Sequence, residues 1–449
     1  MSVTTDADSG LVSGSEGPDI AVPPPGPRSR AWLQRGARAL APMGLVPARA
    51  GPVPVGSLSV NAIVYASGRG SNVVDVDGNR YVDLAGGFGA LLLGHGHPAV
   101  LHAVARQAQR LLQALGDVHP SDVRVLLAER LATLHPARAQ VILGQSGADA
   151  VSAALKTALL HTGRSGVVAF HGAYHGLSYG PLAACGLRAG YREPFRAQLN
   201  PAVRFVDYPS DESGARATLE QVERALAVGD VGAVLVEPIL GRGGCVVPPA
   251  GFLPRLARVA HAGGALLIAD EIWTGLARAG RMLYSIQDAV VPDLICLGKG
   301  LGGGLPVSAC LGSEKLMQAW RRDPEVVHTS THAGAPLACA AALATLDTID
   351  REGLVERSAS QGEAWRTALR SDLHKLPGVE VRGAGLMIGI DLARHPLRAV
   401  EVARALLQLG YIVSTGGGAR DTLVLTPPLT VAESQLQPFA SQLRQLLAE

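Results

Sequence analysis

The sequence predicts an α/β protein, with a large domain on a mostly parallel seven-stranded sheet and a small α+β domain built from both chain ends. Three observations predict it. From about residue 139 to 311, seven apolar runs alternate with helical segments, as strands buried between layers of helices do. A hairpin signal precedes these runs, and helices with short strands follow them. At 449 residues the chain also exceeds what one hydrophobic core usually supports.

In order along the chain, residues 1–27 are rich in Ser, Gly, Asp and Pro and end in Pro23-Pro24-Pro25-Gly26. That composition buries too little apolar surface to offset its ordering entropy, so a disordered tail is expected. The basic stretch Arg28 to Leu45, with Trp32, Leu33, Leu40 and Leu45, reads as a helix lying on the body or as a partner contact, with packing on the body the favoured role. Residues 62–83 read as two short strands joined by the turn Asp77-Gly78-Asn79. Two amphipathic helices are expected between Leu101 and Thr133. The seven strand-like runs are Gln140–Leu143, Gly166–Phe170, Val203–Val206, Val231–Val236, Ala265–Ala269, Leu294–Leu297 and Val307–Leu311. Beyond Pro336 an Ala-rich helix leads to strands near Val379–Val381, Met387–Leu392, Tyr411–Val413 and Leu423–Leu425. The expected division is a tail (1–27), an N-terminal segment with part of the small domain (28–100), a large domain (101–335) and a C-terminal small domain (336–449).

Charge and composition exclude several classes of partner. The 40 basic and 38 acidic residues are spread evenly, without the basic stripe a phosphate backbone needs, so no nucleic acid is expected. Gly, Pro or charge interrupts every apolar stretch before the ~20 residues of a membrane helix, so no membrane partner is expected either. Cys185, Cys245, Cys296, Cys310 and Cys339 lack the paired spacings of a zinc or redox site, and no metal is expected. Unpaired cysteines and the lack of a secretory signal predict a cytoplasmic protein.

Chemistry concentrates in a few places. Lysine occurs only at 156, 299, 315 and 375, and three of these sit in helical or charged surroundings. Lys299 instead follows the run Leu294–Leu297 inside Gly298-Lys299-Gly300-Leu301-Gly302-Gly303-Gly304, a loop able to approach a flat ligand. In an apolar pocket such a lysine loses its proton and becomes a nucleophile; the alternative is a lysine that merely caps a glycine loop. Glu237 and Asp270 each end a strand at its carboxyl end, where open α/β sheets bind ligands. A carboxylate buried there needs a cationic or hydrogen-bonding partner.

Ser146-Gly147-Ala148-Asp149 opens a helix with a capping box, and the free amides of Gly147 and Ala148 can hold a phosphate, although many helices begin this way. Phe170-His171-Gly172-Ala173-Tyr174-His175-Gly176 places an aromatic and a histidine after another strand. Tyr174 can stack on a flat ring or simply fill the core.

These segments together resemble the class III aminotransferases, of pyridoxal-phosphate (PLP) fold type I. The specific motifs are Asp270-Glu271-Ile272-Trp273-Thr274-Gly275 with Arg278 and Gly280, Pro292-Asp293-Leu294 through Lys299 to Pro306, and Glu237-Pro238-Ile239. The group includes ornithine, acetylornithine and 4-aminobutyrate aminotransferases and ω-transaminases. The resemblance implies amino transfer between a small-molecule donor, an amine or amino acid, and a keto acid or aldehyde, with Lys299 carrying PLP as a Schiff base. It implies Asp270 on the pyridine nitrogen, Ile272 and Tyr174 on the ring faces, and Ser146, Gly147 and Ala148 on the phosphate. His175, Glu237 and Trp273 belong to the same cofactor site. Thr331 would reach the phosphate of a neighbouring subunit, so a homodimer with shared sites is expected.

Three positions depart together from relatives that use glutamate: Leu177 for an Arg, Arg242 for a Glu, and Val424 for an Arg. Arg242 is therefore the candidate clamp for a substrate carboxylate. Trp273 stands where many relatives have Gln. A mutase, epimerase or decarboxylase on the same scaffold, or a non-catalytic PLP-binding protein, are the competing readings; retention of both Lys299 and Asp270 argues against the last.

Overall fold

The computed structural model describes residues 13–41, 62–287, 290–321 and 327–448. Residues 1–12 of the expected tail, and Leu45, lie outside them. Ser13 to Gly26 depart from the expected disordered tail: Asp19 pairs with Arg80 through both backbone hydrogen bonds, and Asn79 and Gln408 side chains bind the Val22 and Pro24 carbonyls. Composition missed this because the segment is held by backbone groups, which need no apolar side chains.

Helix α1 (Pro27–Ala39) is followed by β1 (Tyr65–Arg69), β2 (Asn72–Asp75) and β3 (Arg80–Asp83). The expected turn is present between β2 and β3, where Gly78 has φ +93° and Asp75 accepts from the Asp77 and Asn79 amides. The hairpin is nevertheless part of a three-stranded run, because β1 pairs with β2 as well.

Next come α2 (Pro98–Arg110) and α3 (Asp122–Ala132), then β4 (Ala139–Gly144), α4 (Gly147–Thr162), β5 (Gly166–Phe170), β6 (Val203–Val206) and α5 (Glu212–Leu226). The remainder of the sheet is β7 (Val231–Val236), α6 (Phe252–Ala262), β8 (Leu266–Asp270), β9 (Leu294–Leu297) and β10 (Ser308–Ser313). All seven expected strands form one sheet in the order β4-β10-β9-β8-β7-β5-β6. Only β10 runs antiparallel to its neighbours. Since β4 and β9 both oppose β10, they share a direction with the parallel strands. The carboxyl ends of β4, β5, β7, β8 and β9 therefore open on one edge. Buried apolar clusters cover both faces of this sheet, among them Phe170, Phe252 and Leu256, and Val151, Leu235 and Ile268.

The chain continues through α7 (Pro336–Arg351), which packs on α2 and α3, α8 (Leu354–Leu373), β11 (Glu380–Ala384), β12 (Met387–Asp391) and α9 (Ala399–Gln408). It ends with β13 (Tyr411–Ile412), β14 (Ser414–Gly416), β15 (Thr422–Leu425) and α10 (Glu433–Ala448). β13 joins β3 in parallel, so the two chain ends share a four-stranded sheet; β11, β12, β15 and β14 form another. β14 was not expected from the sequence. Arg278 ties the loop after β8 to this C-terminal part by donating to the Leu386 and Pro427 carbonyls at 3.0 and 2.6 Å. No helix among the described residues is long and apolar enough to cross a membrane.

Candidate active site

The carboxyl edge of the sheet gathers the residues singled out in the sequence. Asp270 closes β8, Glu237 follows β7 directly, Lys299 stands two residues past β9, and the Tyr174 loop follows β5. Lys299 starts a short 3₁₀ turn with φ +42°, a left-handed conformation that a lysine rarely adopts and that recurs at functional sites. Burial lowers the proton affinity of its amine, with Arg242 adding to the effect and Asp270 and Glu237 opposing it.

Asp270 is buried and doubly held: Nδ1 of His175 lies 2.7 Å from Oδ2, and the Ile272 amide donates to Oδ1 at 3.1 Å. Glu237 links two loops. Its Oε1 accepts from the Tyr174 amide at 2.7 Å and its Oε2 from the Gly241 amide at 3.0 Å. Burial pushes its carboxyl up to about 7, with Asp270 adding to the rise while His175 and the two amides oppose it.

Helix α4 begins as its sequence requires. Ser146 is the N-cap, its hydroxyl accepting from the Asp149 amide, and Asp149 returns the bond to the Ser146 amide at 3.0 Å. Gly147 faces Ile272, where a Cβ would approach Cδ1 to 2.7 Å. Thus the helix start and Ile272 adjoin.

Tyr174 is half-buried, with Cζ of Arg242 4.7 Å from its ring centroid and Tyr191 edge-on at 6.2 Å. Tyr191 was not singled out by sequence reasoning, and no local signal marks it. Trp273 lies beside the lysine, its ring centroid 4.5 Å from Nζ of Lys299. Val424 is buried with it, whereas Leu177 is exposed. Thr331 is exposed at the end of its own chain's loop, where its carbonyl accepts from Gln113 and the adjacent Ser330 bonds Gln145.

A buried amine with lowered proton affinity, a fixed carboxylate at the end of the adjacent strand and a capped helix start fit an enzyme of carbonyl and amine chemistry. The chain belongs to the class III aminotransferases: the family described as aminotransferase class-III matches residues 54–447. Acetylornithine aminotransferase from Mycobacterium tuberculosis is 39% identical over 388 residues, 86% of this chain and 92% of that relative. Among solved structures, ornithine aminotransferase from Toxoplasma gondii superposes with a TM-score of 0.78 at 31% identity, covering 86% of this chain and 90% of that one. An amine transaminase from an uncultivated Pseudomonas species, in its PLP-bound form, gives 0.81 at 31% identity, covering 91% and 97%. The protein is a PLP-dependent aminotransferase of fold type I, with a large, mostly parallel seven-stranded sheet and a smaller domain.

Proposed function

We propose that Lys299 is the residue that carries PLP, and that the enzyme moves an amino group between a carboxylate-bearing amine or amino acid and a keto acid or aldehyde. The observation that carries this reading is the buried amine of Lys299, its proton affinity lowered by burial, among the side chains of Asp270, Glu237 and Arg242.

The chain's groups fit the cofactor. The cleft between Gly147 and Ile272 leaves no room for a Cβ on the helix start. Nε2 of His175 is buried without a hydrogen-bond partner among the described residues, so a bound group has a polar atom to satisfy. Asp270 would face the pyridine nitrogen, and Ser146, Gly147 and Ala148 the phosphate. Ile272 and Tyr174 would cover the ring faces, with His175, Glu237 and Trp273 around them.

When bound, PLP supplies an aldehyde for amines and a ring that accepts an electron pair. Nζ of Lys299, neutral over more of the pH range than an exposed lysine, serves as nucleophile. The same amine, when free, would take the proton from the substrate's amine-bearing carbon and deliver it to the carbon that PLP's aldehyde supplies, a role worth ~10²–10⁴-fold. Asp270 presents its carboxyl group at its strand end, and His175 fixes that group's orientation.

Arg242 is the carboxylate clamp of this reading. Its guanidinium lies over Tyr174, and no carboxylate pairs with it among the described residues. The names of the relatives, acetylornithine and ornithine aminotransferase, put carboxylate-bearing amines first among the donors to try. The joint change at Leu177, Arg242 and Val424 favours a clamp unlike theirs.

The reading also makes the enzyme a cytoplasmic homodimer, with Thr331 reaching the phosphate of the other copy. Leu112, Leu115 and Val118 are apolar and mostly exposed, a surface suited to burial against a second copy. The five cysteines are free, as a reducing compartment keeps them.

The test is borohydride reduction of the PLP-loaded protein followed by peptide mass mapping, with a panel of amines added beforehand. Cofactor mass on the Lys299 peptide, lost after a true donor is added and absent from Lys299→Ala, is the expected result. Cofactor mass on another lysine would overturn the assignment.

A further inference from the structure

The indole of Trp273 occupies a slot made of two glycines. A Cβ on Gly89 would collide with Nε1 of the ring, and one on Gly241 with Cε3. Gly89 has φ +79°, so its backbone favours glycine in any case. Gly241 has no such need, because its φ is not left-handed. What its missing side chain accommodates is the ring edge of a buried tryptophan, 6% exposed and packed with Ile239, Met387 and Val424. The indole is thus fixed from two sides and cannot swing away from Lys299.

This matters for the reacting amine. The substrate carbon that exchanges a proton with Nζ must come within about 3–3.5 Å of it. Nζ is already only 4.5 Å from the indole centroid, and carbon atoms pack at about 3.5–4.0 Å. A substituent of the reacting carbon that points toward the indole has room for little more than hydrogen or one methyl group. Arg242 lies over Tyr174 and directly follows Gly241, so the cationic side chain and the glycine that seats the indole belong to one loop anchored by Glu237.

We infer that Trp273 is a specificity-determining residue: its indole closes one side of Lys299 and limits substrates to those whose reacting carbon carries nothing larger than a methyl group on that side. The inference rests on Lys299 being the reacting amine. Amines on a terminal or methyl-bearing carbon fit; carbons flanked by two bulky groups do not.

The experiment measures Lys299 directly in the full chain stripped of cofactor. The protein is treated with borohydride and either butanal or 2,2-dimethylpropanal, and each lysine peptide is quantified by mass. Lys156, Lys315 and Lys375 are internal controls. In the wild type Lys299 takes the linear aldehyde and discriminates against the branched one relative to the controls. Trp273→Val raises its branched-to-linear ratio about tenfold, the scale of steric discrimination in a pocket, and Trp273→Phe raises it less. Should the ratio at Lys299 stay unchanged in a folded Trp273 variant, the inference is overturned. Should Lys299 resist both aldehydes in every variant, the reading of Lys299 as the reacting amine fails and takes the inference with it. A second measurement checks the slot: Gly241→Ala lowers the thermal midpoint of the wild type but not that of Trp273→Val, and equal losses in both backgrounds would refute the packing argument.

Discussion

Nδ1 of His175 lies 2.7 Å from Oδ2 of Asp270, and both side chains are buried at the carboxyl edge of the sheet. A carboxylate in that setting needs a partner, and the histidine supplies one from the neighbouring loop. Removing the charge with Asp270→Asn is expected to cut kcat by about 10²-fold or more, the scale of a lost preorganised electrostatic contact. His175 acts through Asp270 and is a positioning residue. His175→Phe should lower kcat more than it raises KM, and His175→Asn, which keeps a donor near Oδ2, should recover part of the loss. Equal activity of the Phe and Asn variants would exclude the role.

The amine of Lys299 has its proton affinity lowered by burial, with Arg242 contributing. The unfolded chain therefore holds this proton to higher pH than the folded one, and the cost of burying the charge fades as pH rises toward the ordinary lysine value of about 10.4. Amine-labelling rates followed against pH should give Lys299 a lower midpoint than Lys156, Lys315 and Lys375. Arg242→Ala should raise that midpoint, because a neighbouring positive charge is removed.

Much of this site was legible in the sequence, for a physical reason. Strands buried on both faces read as continuous apolar runs, so the seven strands and the residues that end them, Glu237, Asp270 and Lys299, could be placed. The start of α4 was equally legible, since Ser146 and Asp149 stand three apart. Elements without a local signal were not. β1, Tyr-Ala-Ser-Gly-Arg, lacks an apolar alternation, and β14, Ser-Thr-Gly, exists because β15 pairs with it. The slot for Trp273 draws Gly89 and Gly241 from segments far apart in the chain, and His175 meets Asp270 across 95 positions. Spacing carries no trace of such contacts.

Glu237 holds the Tyr174 and Gly241 amides with its two oxygens, and burial pushes its carboxyl up to about 7. The folded protein thus binds this proton more tightly than the unfolded chain, whose glutamate titrates near about 4.3. The contribution to stability is full below that value and is lost as pH rises through about 7. Urea denaturation of Glu237→Gln should show a smaller fall in stability than the wild type across this window. Parallel curves would mean that Glu237 is not protonated in the folded state.

The capping box at the start of α4 has a measurable cost. Ser146→Ala removes the acceptor for the Asp149 amide and should destabilise the protein by about 0.5–2 kcal/mol in denaturant titrations. Because the same helix start is the proposed phosphate site, PLP affinity measured by dialysis should fall in this variant. A loss of stability with unchanged PLP affinity would confine Ser146 to a structural role.

Arg242 stands one residue past Gly241, with its guanidinium 4.7 Å from the Tyr174 ring centroid and no acidic partner among the described residues. An arginine so placed near Lys299 can give a substrate carboxylate two parallel hydrogen bonds, which a lysine cannot reproduce. Arg242→Ala should therefore raise KM for carboxylate-bearing donors, with kcat/KM falling by about 2–4 kcal/mol equivalent, the range for breaking a paired charge. Donors without a carboxylate should be little affected, because they never engage the guanidinium. Arg242→Lys should restore charge but only part of the affinity. The comparison separates recognition from packing: loss of the Tyr174 contact alone would weaken both donor classes equally, whereas a carboxylate clamp weakens only one.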